Sequence, residues 1–220
     1  MTLYIVGTPI GNLQDISLRA LETLKNADKI YCEDTRRTSN LLSAYKFAKP
    51  LHSLHHHSPE SKYQEIIREL EAGEKIAYLT DAGTPGVSDP GGKLVERCRT
   101  ENIEIVPIPG PSAVTTLLSV AGVNADSFWF VGFLPTKKGR QTKLKEILKF
   151  ENTVALFETA PRLLRFCKEL NELGGDKVNL VIGRELTKKF EEIVTGTPSE
   201  VSEHFTKKAP QGEFVVVLTK

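Results

Sequence analysis

The chain has 220 residues, of which 40% are hydrophobic and 26% are charged, a composition typical of a folded globular protein. Lysine and arginine total 29 against 28 aspartate and glutamate residues, so the net charge of +1 excludes an overall basic field, and any nucleic-acid contact must be local. No run of 18 apolar residues occurs, and Cys32, Cys98 and Cys167 are far apart and odd in number, which predicts a soluble protein of a reducing cytoplasm.

Short apolar runs alternate with segments of helical period over roughly the first half of the chain. The runs are LYIV, KIYC, PLHSL, KIAYL and IEIVPI, and a helical pattern follows each of them. Asp15 or Ser17 indicates the start of the first helix, Ser58 indicates the start of the third, and Gly73 indicates its end. Five successive strand–helix units predict a mostly parallel sheet with helices on its faces.

From Phe128 onward the strands follow one another through shorter turns. The apolar runs here are FWFVGFL, TVALFE, KVNLVI, EEIVTGT and EFVVVL. Neighbouring strands joined by short connections favour a mixed sheet with antiparallel members. We therefore predict an α/β protein with an N-terminal α/β domain, residues 1–113, and a C-terminal α/β domain, residues 114–220.

Three loops rich in glycine and proline follow predicted strands of the first domain: GTPIGN at 7–12, DAGTPGVSDPGG at 81–92 and PIPGPSA at 107–113. Glycine allows close backbone approach while proline fixes φ, so these loops are shaped and rigid. Loops at the carboxyl ends of parallel strands converge on one crevice, where such folds bind ligands. An ordered connector without a ligand is the alternative.

A dinucleotide is a second possible ligand, because Glu33 and Asp34 end the second strand at about the distance at which an acidic residue binds a ribose. Against it, neither G-x-G-x-x-G nor G-x-x-x-x-G-K-[ST] occurs in these loops. Pro9 also removes a backbone donor where a pyrophosphate would need one.

Charged side chains gather after two strands of the second half, in FETAPR at 157–162 and GRELTKKFEE at 183–192. One interpretation is that these side chains are solvated at the strand ends. The other is that they contact a ligand, because the planar arginine guanidinium suits a phosphodiester or a carboxylate. The basic segment TKKGR at 136–140 is a solvated helix face or an RNA phosphate contact.

The histidines do not predict a metal site. His55, His56 and His57 are consecutive, so their side chains point to different sides of an extended chain, and no cysteine or acidic partner has ligand spacing. A surface loop, or a ribose or base contact, is the interpretation. G-x-S-x-G, H-E-x-x-H and C-x-x-C are also absent, so nothing favours nucleophilic or zinc hydrolysis.

Taken together, the segments LYIVGTPIGNLQD, CEDTR, LTDAGTPGVSDPG, PIPGPSA, GFLPTKKG, FETAPR and RELTKKFEE resemble the bacterial 16S rRNA cytidine 2′-O-methyltransferases of the tetrapyrrole-methylase (class III) superfamily. The resemblance covers essentially the whole chain. It implies two α/β domains of tetrapyrrole-methylase type with S-adenosylmethionine in the cleft between them, and a cytoplasmic homodimer. It also implies methylation of a cytidine ribose in the decoding region of 16S rRNA, on naked RNA or on the small subunit, without a metal or a membrane.

The resemblance also assigns site residues by motif. The residues it implies for cofactor binding are Pro9, Asp81, Ala82, Gly83, Gly86, Val87, Ser112, Ala113, Phe157, Glu158 and Leu186. Those assigned to RNA or the acceptor hydroxyl are Glu33, Asp34, Arg36, Arg162, Arg184 and Lys188. The 2′-hydroxyl is a weak nucleophile, so a base within hydrogen-bond reach would help, and Asp81 or Glu158 is predicted for that catalytic role. A nearby lysine or arginine that lowers the pKa of the hydroxyl is the alternative.

Longer members of the family continue past the last strand into a small basic helical module, whereas this sequence stops at VVVLTK. RNA affinity is then expected to come from the core, the dimer or another partner. Two alternatives remain at this point. One is a methylase of the same fold that acts on a tetrapyrrole or another small molecule, and the other is a non-catalytic protein that binds S-adenosylmethionine or RNA.

Overall fold

The computed structural model describes residues 1–207 and 210–220, except for the side chain of residue 176. The chain divides into two units, Met1–Ser112 and Ala113–Lys220. Each unit consists of a five-stranded sheet covered by helices. None of the helices in the described residues is long and apolar enough to span a membrane.

The first unit has a sheet in which every strand pairing is parallel, in the order β3-β2-β4-β1-β5. Its strands are β1 Thr2–Val6, β2 Lys29–Cys32, β3 Leu51–Ser53, β4 Lys75–Leu79 and β5 Glu104–Ile108. Its helices are α1 Leu18–Asn26, α2 Thr35–Ala44, α3 Glu60–Glu71 and α4 Gly91–Thr100, with a 3-10 turn at Leu13–Asp15. The predicted parallel sheet is therefore confirmed.

Alternate side chains of these strands enter two cores on opposite faces of the sheet, as the two-residue period of a strand requires. Tyr31 and Tyr78 belong to a cluster with residues of α3 and α4, whereas Ile30 and Ala77 belong to a cluster with residues of α1 and α2. All four side chains are fully buried. Burial on both faces explains why the strands read as continuous apolar runs rather than as alternating patterns.

Local signals explain most of the helix boundaries. Ser17 caps α1, because its hydroxyl oxygen accepts the Ala20 N–H at 3.0 Å. Gly73 follows α3 with a φ of +96°, a value that glycine adopts readily. The predicted start at Ser58 is wrong: α3 begins at Glu60, and the Ser58 hydroxyl instead accepts the N–H of a residue in the preceding turn.

The second unit has a mixed sheet in the order β6-β7-β10-β8-β9, as the sequence predicted. Its strands are β6 Phe128–Phe133, β7 Thr153–Thr159, β8 Asn179–Arg184, β9 Glu192–Gly196 and β10 Glu213–Thr219. Only the β6–β7 pairing is parallel among those described. The helices are α5 Ala113–Val120, α6 Arg140–Lys149, α7 Ala160–Glu172 and α8 Pro198–Lys207, with a 3-10 turn at Gly175–Lys177.

Candidate functional site

The glycine- and proline-rich loops of the first unit meet at the carboxyl edge of its sheet. The central strand β1 lies between β4 and β5, so the loops that follow all three strands emerge side by side. Thr8 and Gly83 form an isolated antiparallel bridge in which their N–H groups donate to each other's carbonyls at 2.9 and 3.1 Å. The predicted convergence of these loops is therefore confirmed.

The first and third loops approach each other so closely that only glycine fits. The Gly7 N–H donates to the Ile108 carbonyl at 2.9 Å. A Cβ added to Gly7 would lie 2.6 Å from the Gly110 nitrogen, and one added to Gly110 would lie 2.7 Å from the Gly7 carbonyl carbon. Both contacts are far inside van der Waals distance. The two glycines thus set the spacing of the loops.

Asp89 fixes the shape of the long middle loop, a role that the sequence reasoning missed. Its carboxylate accepts the N–H groups of Gly86, Val87 and Gly91 at 2.8, 3.1 and 2.7 Å. Hydrogen bonds to an ionised acceptor are stronger than neutral ones. The signal in the sequence was an aspartate just before a proline and two glycines at a helix start, where it can accept several backbone donors.

The predicted cofactor residues of this unit line the loops with different exposure. Ala82, Gly86 and Val87 are exposed, and the Val87 side chain reaches 45% exposure although it is apolar. Pro9, Asp81 and Ser112 are half-buried, whereas Gly83 is buried within the Thr8 bridge. The exposed backbone and apolar side chain offer a ligand close approach, and the assignment to cofactor binding stays a prediction.

Two loops from β2 and β3 extend the same edge of the sheet. Asp34 caps α2 by accepting the Arg36 N–H at 2.8 Å, and its carboxylate also pairs with the Arg36 guanidinium at 2.7 Å. These hydrogen bonds hold the pKa of Asp34 well below its usual range. The Asp34 N–H donates to Asp81 at 3.0 Å, and Asp81 forms an ion pair with Arg37 at 3.4 Å. The EDTR segment is thus tied to the middle loop.

His55, His56 and His57 lie in the exposed turn after β3, as the surface-loop interpretation predicted. The His57 N–H donates to Nδ1 of His55 at 3.2 Å. Within residues 1–207 and 210–220, no group of His, Cys, Asp and Glu side chains is arranged to hold a metal ion.

Glu158, predicted as a base and cofactor ligand, is buried inside the second unit at 1% exposure. Its carboxylate pairs with Arg140 at 3.1 Å and with Arg162 at 3.2 Å, and the buried Arg140 also pairs with Glu169 at 2.6 Å. Burial raises the pKa of Glu158 against the opposing effect of the two arginines. One of its oxygens, Oε2, is buried without a hydrogen-bond partner in the described structure.

The other predicted residues of the second unit take part in contacts within it. Phe157 packs against the Phe130 ring at 5.1 Å, Leu186 is buried, and Ala113 begins α5. Arg184 pairs with a glutamate of β9 at 3.1 Å, and Lys188 pairs with two glutamates at 2.9 and 2.8 Å. Arginine and lysine side chains engaged in this way are less available to RNA than the sequence suggested, and their assignment stays a prediction.

The architecture described above is shared with solved methyltransferase structures. A cobalt precorrin-4 methyltransferase superposes with a TM-score of 0.73 at 18% identity, covering 99% of this chain and 94% of its own. A uroporphyrin-III C-methyltransferase from Thermus thermophilus, complexed with S-adenyl homocysteine, gives 0.67 at 20% identity, covering 100% and 98%. The family described as Tetrapyrrole (Corrin/Porphyrin) Methylases matches residues 2–202, and the chain belongs to this family.

Nearer relatives within the family have another name. A protein of Thermotoga maritima named ribosomal RNA small subunit methyltransferase I is 46% identical over 99% of this chain and 97% of its own length. Proteins of the same name from Synechocystis and Bacillus subtilis are 43% and 40% identical over 98% of this chain, which spans 78% and 74% of their length.

Proposed function

We propose that this protein is a methyltransferase that uses S-adenosylmethionine to methylate the ribose 2′-hydroxyl of a cytidine in the decoding region of 16S rRNA. The observation that carries the proposal is the 46% identity, over nearly the full length of both chains, to a protein named ribosomal RNA small subunit methyltransferase I. An enzyme acting on ribosomal RNA would work in the cytoplasm, and the family resemblance adds a homodimer to the proposal.

The loops of the first unit supply a suitable place for the methyl donor. Exposed backbone at Ala82 and Gly86 and the exposed Val87 side chain offer hydrogen bonds and apolar contact to a nucleoside carrying a methionine chain. When bound, S-adenosylmethionine supplies an electrophilic methyl group on a positively charged sulfur. The chain's own residues hold the loops: Asp89 by its three backbone contacts, and Gly7 by its close approach to the third loop.

Alignment of the reacting atoms is the main task of such a site, because methyl transfer to oxygen is an in-line displacement. Holding two reactants in the correct geometry can supply about 7 to 11 kcal/mol of barrier lowering. A rigid frame of loops serves that purpose better than a flexible one, since a displacement of about 1 Å can reduce the rate about 100-fold. The hydrogen-bonded loop bridge and the glycine pair provide that rigidity.

Exposed basic side chains provide contacts for the RNA backbone. Arg36 is 89% exposed on its side chain, although its guanidinium also pairs with a neighbouring aspartate. In the second unit, Lys137, Lys138 and Lys145 are exposed in and after the TKKGR segment. Salt-sensitive binding through local phosphate contacts fits a chain whose net charge is only +1. These side chains support RNA contact better than the paired Arg184 and Lys188 do.

Methylation of a tetrapyrrole is the main competing function. The solved relatives named for it are only 18 to 20% identical to this chain, which supports a shared fold alone. The rRNA-methyltransferase relatives are 40 to 46% identical. The loop motifs TPIGNLQD and EDTR are also those that the resemblance to rRNA enzymes rests on.

The experiment that tests the proposal combines binding with transfer. Calorimetry measures S-adenosylmethionine binding, and a radiolabelled methyl group then reports transfer to 16S rRNA or to small subunits from cells lacking the protein. We expect one label per RNA, located on a ribose. Binding without transfer to either RNA substrate would favour a non-catalytic protein, and transfer to uroporphyrinogen would favour the tetrapyrrole alternative. Light scattering of the same sample gives the oligomeric state.

A further inference from the structure

We propose that Glu33, instead of Asp81 or Glu158, is the general base that removes the proton from the attacking hydroxyl. This inference rests on the proposed function and concerns only the first unit. Glu33 directly follows β2, at the carboxyl edge of the parallel sheet where the glycine-rich loops also lie.

The other acidic side chains considered for the role of base pair with arginines or accept several backbone hydrogen bonds. They are Asp34, Asp81, Asp89 and Glu158. Arginine nitrogens lie 2.7 Å from Asp34, 3.4 Å from Asp81 and 3.1 and 3.2 Å from Glu158. Asp89 accepts three backbone N–H groups. An acid held in these ways keeps its loop or core in place, and pairing with a cation weakens it as a base.

Glu33 differs in having no lysine or arginine ion partner within the described structure, and its side chain is half-buried rather than enclosed. Strand register shows where it lies. Cys32 pairs with Ser53, and the Leu54 N–H donates to the Cys32 carbonyl at 2.8 Å. Glu33 therefore leaves the sheet beside the exposed histidine turn at 55–57, where an RNA ribose can approach from solvent.

The surroundings of Glu33 strengthen it as a base. The groups that act on it are the side chains of Asp81, Asp89 and His56 and the backbone of Asp81, and the Tyr78 hydroxyl interacts with Asp89 and Glu33. Burial, then the charges of Asp81 and Asp89, raise the pKa of Glu33, whereas His56 and a hydrogen bond from the Asp81 backbone lower it. A base whose pKa is raised toward the operating pH transfers protons more effectively than an ordinary carboxylate does.

Tyr78 supplies the independent evidence that a polar ligand group belongs here. Its side chain is fully buried beneath the middle loop, and its hydroxyl has no hydrogen-bond partner in the described structure. Burial, together with Asp89 and Glu33, raises its pKa, so the phenol stays protonated and able to donate. A buried hydroxyl without a partner is costly, and a ligand hydroxyl or a bridging water next to Glu33 would satisfy it.

The hydroxyl proton moves to a Glu33 carboxylate oxygen, and the electron pair left on the 2′-oxygen forms the new oxygen–methyl bond. The sulfur–methyl bond breaks with its electrons on sulfur, which neutralises the sulfonium charge. Glu33 then returns its proton to solvent, and the exposed turn beside it provides the route.

Glu33→Gln tests the proposal, because glutamine keeps the size of the side chain and removes its basicity. We expect kcat for RNA methylation to fall about 10²- to 10⁴-fold, the usual contribution of a general base. Glu22→Gln, in an exposed position of α1, is the matched control and should leave kcat unchanged. Calorimetric affinity for S-adenosylmethionine should be unchanged in both variants, which separates loss of the base from loss of the donor site.

The pH profile makes the test specific. Log kcat of the wild-type protein should rise with pH through the Glu33 pKa and then level off, and this rise should be absent from Glu33→Gln. A residual kcat within threefold of wild type, or an unchanged pH profile, would overturn the proposal. If the wild-type protein itself transfers no methyl group to RNA, the proposed function fails instead.

A second readout needs neither donor nor RNA. Carbon NMR titration of the glutamate carboxyls, with Glu33→Gln as the assignment control, should give Glu33 a midpoint above the usual value of about 4.3. A carboxyl with a raised folded-state pKa destabilises the fold above that pKa and has no such effect below the unfolded pKa. Glu33→Gln should therefore be at least as stable as wild type at pH 7, and this advantage should vanish near pH 4. A midpoint at or below the usual value would contradict the proposal.

Discussion

Replacing Gly7 with alanine should force apart the loops that form the candidate donor site. The new Cβ would lie 2.6 Å from the Gly110 nitrogen and 3.3 Å from the Ile108 carbonyl oxygen. Normal contact is about 3.5 to 4.0 Å, so the loops must separate by about 1 Å. Overpacking costs about 1 to 3 kcal/mol, and weakening the Gly7–Ile108 hydrogen bond costs about 0.5 to 1.5 kcal/mol more. We therefore expect the free energy of unfolding to fall by about 1.5 to 4.5 kcal/mol.

Thermal unfolding followed by circular dichroism measures this loss. In a chain of this size each kcal/mol lowers Tm by about 2 to 4 °C, so Gly7→Ala should lower Tm by about 3 to 18 °C. At a temperature where the variant is still folded, methyl transfer should fall about 100-fold, because the loops are displaced by about 1 Å.

Gly92→Ala is the matched control. Gly92 is exposed in the first turn of α4, and a Cβ added there would meet nothing within 4 Å. Alanine favours helix over glycine by up to about 1 kcal/mol, so Tm should stay the same or rise. If both variants have the Tm and the activity of wild type, the close approach of the two loops does not hold the site together.

Three further predictions concern other parts of the chain. Asp89→Ala removes the acceptor for three backbone N–H groups, so calorimetry should show at least about 10-fold weaker S-adenosylmethionine binding. Asp89→Asn should bind with an affinity between those of the wild type and Asp89→Ala. Unchanged affinity in Asp89→Ala would contradict this role. Arg140→Met removes the buried guanidinium shared by Glu158 and Glu169, each of which keeps one more exposed arginine partner, and should lower the free energy of unfolding in urea by about 3 to 5 kcal/mol. Lys168→Met, in an exposed pair, should cost less than about 1 kcal/mol, and equal costs would show that the buried pairs stabilise the fold no more than an exposed one does. Burial raises the pKa of Cys98 and of Cys167 to about 12. Neither thiol should therefore react with iodoacetamide at pH 8 until the protein unfolds. Fast labelling of these two cysteines in the native protein would contradict this prediction.

The sequence predicted the parts of the site that depend on local pattern and on general rules of α/β sheets. Apolar runs and helical periods identified the strands and helices, and the rule that parallel strands end at one edge brought the loops together. The apolar runs and helical periods lie within the elements that they predict. The bridge between Thr8 and Gly83 could not be predicted from them, because it depends on β1 and β4 being neighbours in the sheet, which only the structure shows.

Partners that lie far apart in the sequence could not be predicted in the same way. Lys188 pairs with Glu213, 25 residues away, and Arg140 pairs with Glu169, 29 residues away. Only the fold shows that these charged side chains form ion pairs within one unit. The pKa of Glu33 likewise depends on Asp89, a residue that is distant in the sequence and lies in the loop after β4.

The most direct test of the central claim is mass-spectrometric mapping of ribose methylation in small-subunit RNA from cells with and without this protein. We expect one methylated cytidine ribose in the decoding region of 16S rRNA to be lost when the protein is absent and to be restored when the intact protein is supplied. An unchanged pattern of ribose methylation in cells that lack the protein would contradict it.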